Sequence, residues 1–486
     1  MAEKLMVGWS EADITPVTEK LIPLMGQYYE RLTHEIHSRL KTVAVAISSG
    51  DEYFLEASID NVGINRAFHE KVCQTVHEME PEIAPEKIFI HAIHTHSAPS
   101  ITMKITRWKD VEDLVEDPRP ILSSQEYVAF VIPIIAKNFV DAWHNRKPGG
   151  IIRGFGNARI GHCRRAVFSD GLAEMYGDTT RQDFIGMEAG EDSGVEMLFT
   201  CDLNGKRTGM LLNVACPSQN MESTYKVSSD FAGATRELLK QKFGEDFHTI
   251  YQISPAGCQS PRDLVRHYTT EPDFWHEDGV PVLAGRLADA VEKAILWPAE
   301  FTPVLKHTRI NVVLPRRRAA YTEYMEAKAE VARLTAIMSE KDAFKQFCDN
   351  THAKEKLDGP GPYDNKLEIF VQIQNAKAIV TRYEDQDAEP NIDFDMNVIR
   401  LGDVAIADNP FELYLYYGQN IKARTKSQQT FLVQLAAGAS RPAGYLPSPD
   451  AEKFRGYGGC IINGQCGHDA GYKLADITVA EINKLF

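Results

Sequence analysis

Cysteine is scarce in this chain and follows no pattern: Cys73, Cys163, Cys201, Cys216, Cys258, Cys348, Cys460 and Cys466 are strewn over 486 residues. Such scatter excludes a disulfide framework and suits a reducing compartment. Cys460, Cys466 and nearby His468 carry metal-ligating atoms, but their spacing matches no zinc knuckle. Positive charge is in deficit too. Against 68 Asp and Glu stand 53 Lys and Arg, a formal net charge of -15. That balance repels polyanions over roughly a Debye length and argues against nucleic acid or an anionic membrane surface as partner. Long apolar runs are missing, since no stretch reaches the about 20 residues that span a bilayer. Met1 to Gly8 lacks the basic flank and apolar run of a secretory leader. The expectation is a cytoplasmic protein with no integral membrane association. Internal repeats and low-complexity tracts are absent as well.

What is present is the composition of a folded enzyme: 43% hydrophobic and 25% charged residues exclude a disordered or fibrous chain and supply a core that needs no staples. Strand patterns at Thr42 to Ser48, Tyr53 to Ile59 and Lys87 to His96 enclose a helical pattern at Asn65 to Glu80. Ser123 to His144 and Asp230 to Phe243 are apolar at helical spacing, and Val195 to Asp202 pairs with Thr208 to Ala215 about Asn204-Gly205. Ala319 to Asn350, rich in good helix formers, predicts a long helix or helical pair projecting from the core, before a Gly-Pro stretch at Gly359 to Pro362. A hairpin at Val398 to Ala407 turns at Gly402-Asp403, and Asn409-Pro410 predicts a helix from about Phe411. The fold class is α/β, mixed β-sheets layered with helices. One catalytic domain over 1–486 accommodates it, and soluble enzymes of this kind are often homo-oligomers.

The sharpest chemical signal is Ile90-His91-Ala92-Ile93-His94-Thr95-His96-Ser97-Ala98-Pro99. If the strand runs through it, alternation puts His94 and His96 on one face and His91 on the other. Two imidazoles then converge at a strand's carboxyl end, where α/β sheets gather ligands, and neutral imidazole is a good zinc ligand.

These residues, with Val7-Gly8-Trp9, Ala12-Asp13-Ile14-Thr15-Pro16, Met25-Gly26 and Ser58-Ile59-Asp60 before them in the same order, resemble the opening of the neutral/alkaline non-lysosomal ceramidase family. The likeness extends thinly to the C-terminus and lacks the immunoglobulin-like domain that follows the catalytic domain in that family. It implies a ceramidase-catalytic-domain-like fold, a helical excursion near 319–350, and one catalytic zinc held by two histidines, a glutamate and a tyrosine. His94 matches the first histidine, which leaves His96 facing the substrate. Cys216, in Asn213-Val214-Ala215-Cys216-Pro217-Ser218, stands where the family has the histidine of His-Pro-Thr-Ser. As thiolate it would keep the coordination number; as a buried small residue it would not. Glu412, in Asp408-Asn409-Pro410-Phe411-Glu412, matches the carboxylate ligand, although a helix dipole also favours an acid there. Tyr445 matches the fourth ligand and Tyr457 a donor to the transition state. Ser260, in the stretch resembling Gly-Asp-Val-Ser-Pro, is either nucleophile or substrate-positioning group. Asp230 is a helix cap or a support for the site.

Asn157 to Arg165 corresponds to the family's Asn-Arg-Ser-Pro, with Arg159 as the substrate-binding match; His162 and Cys163 beside it are alternative metal ligands, and the segment is otherwise a solvated loop. Its arginines suit an anionic or hydroxyl-rich small molecule better than a long acyl chain. The resemblance therefore implies a zinc-dependent hydrolase of C–N bonds, cleaving an amide of a small or amphiphilic N-acyl substrate with a metal-activated water. Two other classes remain open: a metal-dependent carbohydrate-processing enzyme, hydrolase or lyase, acting on an anionic sugar; and a non-catalytic protein that lost its metal when Cys216 replaced histidine.

Overall fold

The computed structural model describes residues 4–27, 31–101, 120–266, 274–354, 368–436 and 438–486. Its centre is two β-sheets laid face to face. The larger runs His248–Ile253, Arg207–Val214, Gly194–Asp202, Lys147–Asn157, Met6–Asp13, Lys41–Ser49, Glu52–Ile59, Ile88–Ala92, with Ile295–Leu296 appended to Lys147–Asn157. The smaller runs Leu305–Pro315, Asn391–Leu401, Val404–Asp408, Gln429–Val433. Most neighbours are antiparallel, but Glu52–Ile59 with Ile88–Ala92, Arg207–Val214 with His248–Ile253, and Val404–Asp408 with Gln429–Val433 are parallel.

Alternation along the strands builds the layers. Val43, Val45 and Ile47 point at the smaller sheet, where they meet Ile399, Val404, Ile406 and Phe431. Ala44 and Ala46, on the opposite face, lie under Val72 and Val76 of helix Arg66–Met79 and Val131 and Ile135 of helix Ser124–His144. Helices Asp230–Phe243 and Gly279–Glu292 cover that same face further along, over Met197, Leu212 and Tyr251. Helix His468–Leu485 covers the outer face of the smaller sheet through Leu474 and Ile482. The stacking is thus helix, sheet, sheet, helix. Each fully buried Leu, Ile or Phe contributes about 1.5–3 kcal/mol by leaving water.

Two sequence expectations are corrected. The strand entering the histidine segment ends at Ala92, because Ile93 N–H is drawn to Ile59 O (3.1 Å) and His94 takes a left-handed φ of 64°. No helix starts at Phe411: Glu412–Leu413 instead forms a short parallel strand with Tyr445–Leu446, and the helix begins at Leu415. The excursion near 319–350 is the expected helical pair, Tyr321–Ile337 and Glu340–Lys354, packed on a third helix, Ile369–Asp385, through Leu334, Ala343 and Phe370. The predicted hairpins at Gly205 and Gly402 are present, each glycine at a positive φ. The Gly-Pro stretch at Gly359 to Pro362 lies outside the described residues. Among the described residues no helix is long and apolar enough to cross a membrane.

Candidate active site

His94 and His96 leave the carboxyl end of their strand with ring nitrogens facing each other, Nε2 to Nε2 at 3.2 Å. A β-strand would have carried the rings side by side; the left-handed turn at His94 points them at one place instead. His94 Nδ1 donates to the Val62 carbonyl, which leaves its Nε2 as a lone pair. His96 Nδ1 faces Glu222 Oε2 at 3.4 Å. Burial holds both imidazoles below their ordinary pKa, His96 furthest, where the charges of His94, Arg31 and Arg164 add to it. Both are therefore neutral near pH 7. The loop around them is tied by the fully buried Arg31, which donates to the carbonyls of Met25, His96 and Thr224.

Glu412 and Tyr445 arrive as a paired register position of two short strands that form a separate two-stranded sheet. Glu412 Oε2 lies 3.7 Å from His94 Nε2. Because Glu412 belongs to a strand, the helix dipole has no part in its placement. Between Glu412 and Tyr445 stands Arg164, its Nη2 donating to the Tyr445 hydroxyl at 2.9 Å and to the Gly257 carbonyl at 3.0 Å, and 3.8 Å from Glu412 Oε2. Burial opposes this cation, but Tyr445, Tyr176 and Glu412 hold its pKa well above the ordinary value. The Tyr457 ring meets Tyr445 edge-on, centroids 5.4 Å apart.

On the far side of the imidazoles a second polar chain begins. Glu222, almost wholly buried, accepts from the Tyr176 hydroxyl at 3.1 Å and from Gln219 Nε2 at 3.2 Å. The Tyr176 proton is shared with Ser260 Oγ at 3.0 Å. Ser260 Oγ also accepts the Arg262 backbone N–H at 3.2 Å, and among the described residues it has no imidazole or carboxylate partner. Asp230, at a left-handed φ of 56°, accepts from Met221 N–H (2.7 Å) and Phe231 N–H (2.6 Å), so it fastens the loop that carries Glu222. It thus serves both readings, holding that loop and accepting a first-turn N–H of its own helix.

His94, His96, Ser260, Glu412, Tyr445 and Tyr457 are thus linked at one end of the sheets, and among the described residues no side-chain hydrogen bond or ion pair joins Cys216 or Arg159 to them. The Cys216 thiol is buried at 0% exposure and points at the carbonyls of Ile160 (3.6 Å) and Pro217 (3.4 Å). Burial, with Asp230 nearby, pushes its pKa well above the ordinary thiol value, which disfavours thiolate. Arg159 is solvent-exposed, 3.7 Å from Asp263, and the arginine beside the imidazoles is Arg164. His162 is spent on Glu191 (2.8 Å), and burial pushes the Cys163 thiol up to about 12. Cys466 rises to about 12 for the same reason, while His468 faces Glu452 at 3.0 Å. Sequence reasoning missed Tyr176, Gln219 and Glu222 altogether. Arg164 lay inside a segment already singled out.

Among the described residues, no three His, Cys, Asp or Glu side chains form a metal cage as they stand. The donor chemistry nevertheless fits a divalent ion. Two imidazole nitrogens at 3.2 Å repel as lone pairs unless a proton or a cation lies between them, and the His96 Nδ1 has no hydrogen bond to fix its tautomer. Two neutral imidazoles, a carboxylate and a phenol are zinc donors in kind.

Four layers with a polar cluster where both sheets end define the class of this chain: it has the neutral ceramidase fold. The similarity is seen in two solved structures. One is described as a ceramidase complexed with C2, with TM-score 0.68, 16% identity, and coverage of 99% of this chain and 75% of that one. The other is neutral ceramidase from Pseudomonas aeruginosa, with TM-score 0.66, 16% identity, and coverage of 99% and 74%. No family model and no curated protein matches the sequence.

Proposed function

We propose that this chain is a metal-dependent hydrolase that cleaves an amide bond of a small or amphiphilic N-acyl substrate. The observation that carries the proposal is the His94–His96 pair, neutral and converging, with Glu412 on one side and Glu222 on the other. The likeness of fold to ceramidases supports the bond type. His94, Glu412 and Tyr445 are the proposed ligands of a zinc ion, with His96 in the position expected for Cys216. When bound, such an ion supplies Lewis acidity toward water and a carbonyl oxygen.

The chain's own groups do the rest. The Glu222 carboxylate takes a proton from the attacking water and returns it to the leaving amine. Arg164 and the phenol of Tyr457 stand ready to hold negative charge on the carbonyl oxygen, and such donors are worth a few kcal/mol each in a dry site. Ser260 and Tyr176 orient the substrate from the opposite wall. A carbohydrate-processing activity is the second reading, favoured by the polar lining of Gln219, Tyr176, Glu222 and Arg164, which matches sugar hydroxyls as well as it matches an amide.

Elemental analysis and a substrate screen test this together. We expect one zinc per chain, lost in His94→Ala and Glu412→Gln but kept in Cys216→Ala, and hydrolysis of N-acyl anilides that His94→Ala abolishes. Turnover confined to uronic-acid glycosides would transfer the assignment to the second reading, and zinc loss in Cys216→Ala would overturn the ligand set.

A further inference from the structure

One buried amide outside the proposed ligand set touches both loops that frame His94. Asn61, 1% exposed, stands in the loop that follows strand Glu52–Ile59, beside the loop that follows strand Ile88–Ala92 and carries both histidines. The two loops are sewn together. The Ile59 carbonyl accepts from Asn61 N–H at 2.9 Å and from Ile93 N–H at 3.1 Å. The Asn61 side chain closes the other end: its Nδ2 donates to the Pro99 carbonyl at 2.8 Å, and its Oδ1 accepts the Val62 N–H at 3.0 Å. Between these ties lies the Val62 carbonyl, which accepts the His94 Nδ1 proton at 2.5 Å.

The near end of the loop is pinned as well. Asp60 accepts from Lys41 N–H at 2.8 Å and from two nitrogens of Arg236, and its own N–H meets the Lys41 carbonyl at 3.0 Å. Asn61 is therefore the point at which a fixed loop reaches across to the histidine loop. His94 itself holds a left-handed φ of 64°, a conformation that a non-glycine residue keeps only where its surroundings over-determine it. A neutral imidazole carries one ring proton, and the partner of one nitrogen decides which of the two bears it. With the Val62 carbonyl held in place, the proton stays on Nδ1, and Nε2 keeps its lone pair toward His96 and Glu412.

We propose that Asn61 is a positioning residue for His94: by tying the Val62 carbonyl to the histidine loop, it fixes the Nδ1–H tautomer before any metal binds. The consequence for zinc rests on His94 being a ligand; the consequence for the tautomer does not.

Nitrogen NMR of the full-length protein with isotope-labelled histidine, stripped of metal by a chelator, reads the tautomer, and His94→Ala assigns the signals by their loss. Competition with a chromophoric chelator reads zinc affinity. We expect His94 of the metal-free wild type to be one species with its proton on Nδ1. Asn61→Ala should populate the Nε2–H form beside it and weaken zinc binding about 10–100-fold, the range for losing a group that orients a ligand imidazole. Gln386→Ala removes another buried amide, which bridges the N–H and carbonyl of Ala319 in the helical excursion. It should lower the melting temperature without moving the His94 signals or the zinc affinity, as a purely structural loss would. A mixed or Nε2-protonated His94 in the metal-free wild type overturns the proposal, and that measurement needs no variant to fold. So does an Asn61→Ala protein whose His94 signals match those of Gln386→Ala. If the wild type takes up no zinc while Asn61→Ala still mixes the tautomers, the positioning role stands and the ligand role of His94 falls. If zinc binds and the tautomer is indifferent to Asn61, the ligand role stands and the positioning role falls.

Discussion

In the proposed mechanism the proton transfers depend on Glu222, and nothing in its local sequence announces it. It sits six positions after Cys216 in a loop without a motif, and it becomes functional only because Asp230 and Gln219 hold that loop beneath His96. The paired histidines stood out by their spacing alone, whereas Glu412 and Tyr445 were singled out only by the resemblance. Cys216 was legible as a substitution but not as a direction, since a thiol's orientation is decided by which carbonyls lie behind it, here those of Ile160 and Pro217. Replacing Glu222 by Gln keeps the hydrogen-bonding volume beside Tyr176 and Gln219 but removes the base. The expected result is a kcat lowered about 10²–10⁴-fold with the thermal midpoint little changed, measured by steady-state kinetics beside a melting curve. An unchanged kcat would take Glu222 out of the mechanism.

At the scale of elements, strand positions were readable and strand ends were not. The pattern that predicts a strand through His96 is satisfied by alternation alone. The ladder nevertheless stops at Ala92, because its partner Glu52–Ile59 ends there and Asp60 is claimed by the bidentate guanidinium of Arg236. The turn that follows needs room, and Gly26 supplies it. Gly26 has φ 110°, and a Cβ on it would meet His96 Cγ at 2.3 Å, well inside contact distance. Gly26→Ala is therefore expected to swing the His96 ring off His94. Displacements of about 1 Å near a reacting centre cost about 10²-fold, so kcat/KM should fall by that order while the far-ultraviolet spectrum is retained. Activity equal to wild type would mean that the His96 ring position is not needed.

Over the whole molecule, the site exists because two sheets end at the same place, and this could not be read from local pattern. The larger sheet brings the histidines, the loops after Val214 and Ile253 bring Glu222 and Ser260, and the segment that follows Asp408 of the smaller sheet brings Glu412, all meeting across hundreds of residues. The layer that holds the sheets together contains its own charged groups, and one of them gives stability a pH dependence. Asp408, at the end of Val404–Asp408 and 2% exposed, accepts from Asn397 N–H and Nδ2, both at 2.7 Å. Burial raises its pKa from 3.8 to about 7, against those two hydrogen bonds. A carboxyl with a raised folded pKa binds its proton more tightly when folded. Its contribution is therefore most favourable below the unfolded pKa and is lost as pH rises from about 4 to about 7, by up to about 4 kcal/mol, beyond which it is flat. Asp408→Asn removes the titration while adding a constant offset for the altered hydrogen bonds. Urea unfolding of both proteins at intervals between pH 4 and 8 should give a stability difference, wild type minus variant, that declines steadily and levels off near neutrality. A difference that is flat across the range, or that grows with pH, would mean Asp408 is ionised in the fold and that the two Asn397 donors outweigh the loss of water.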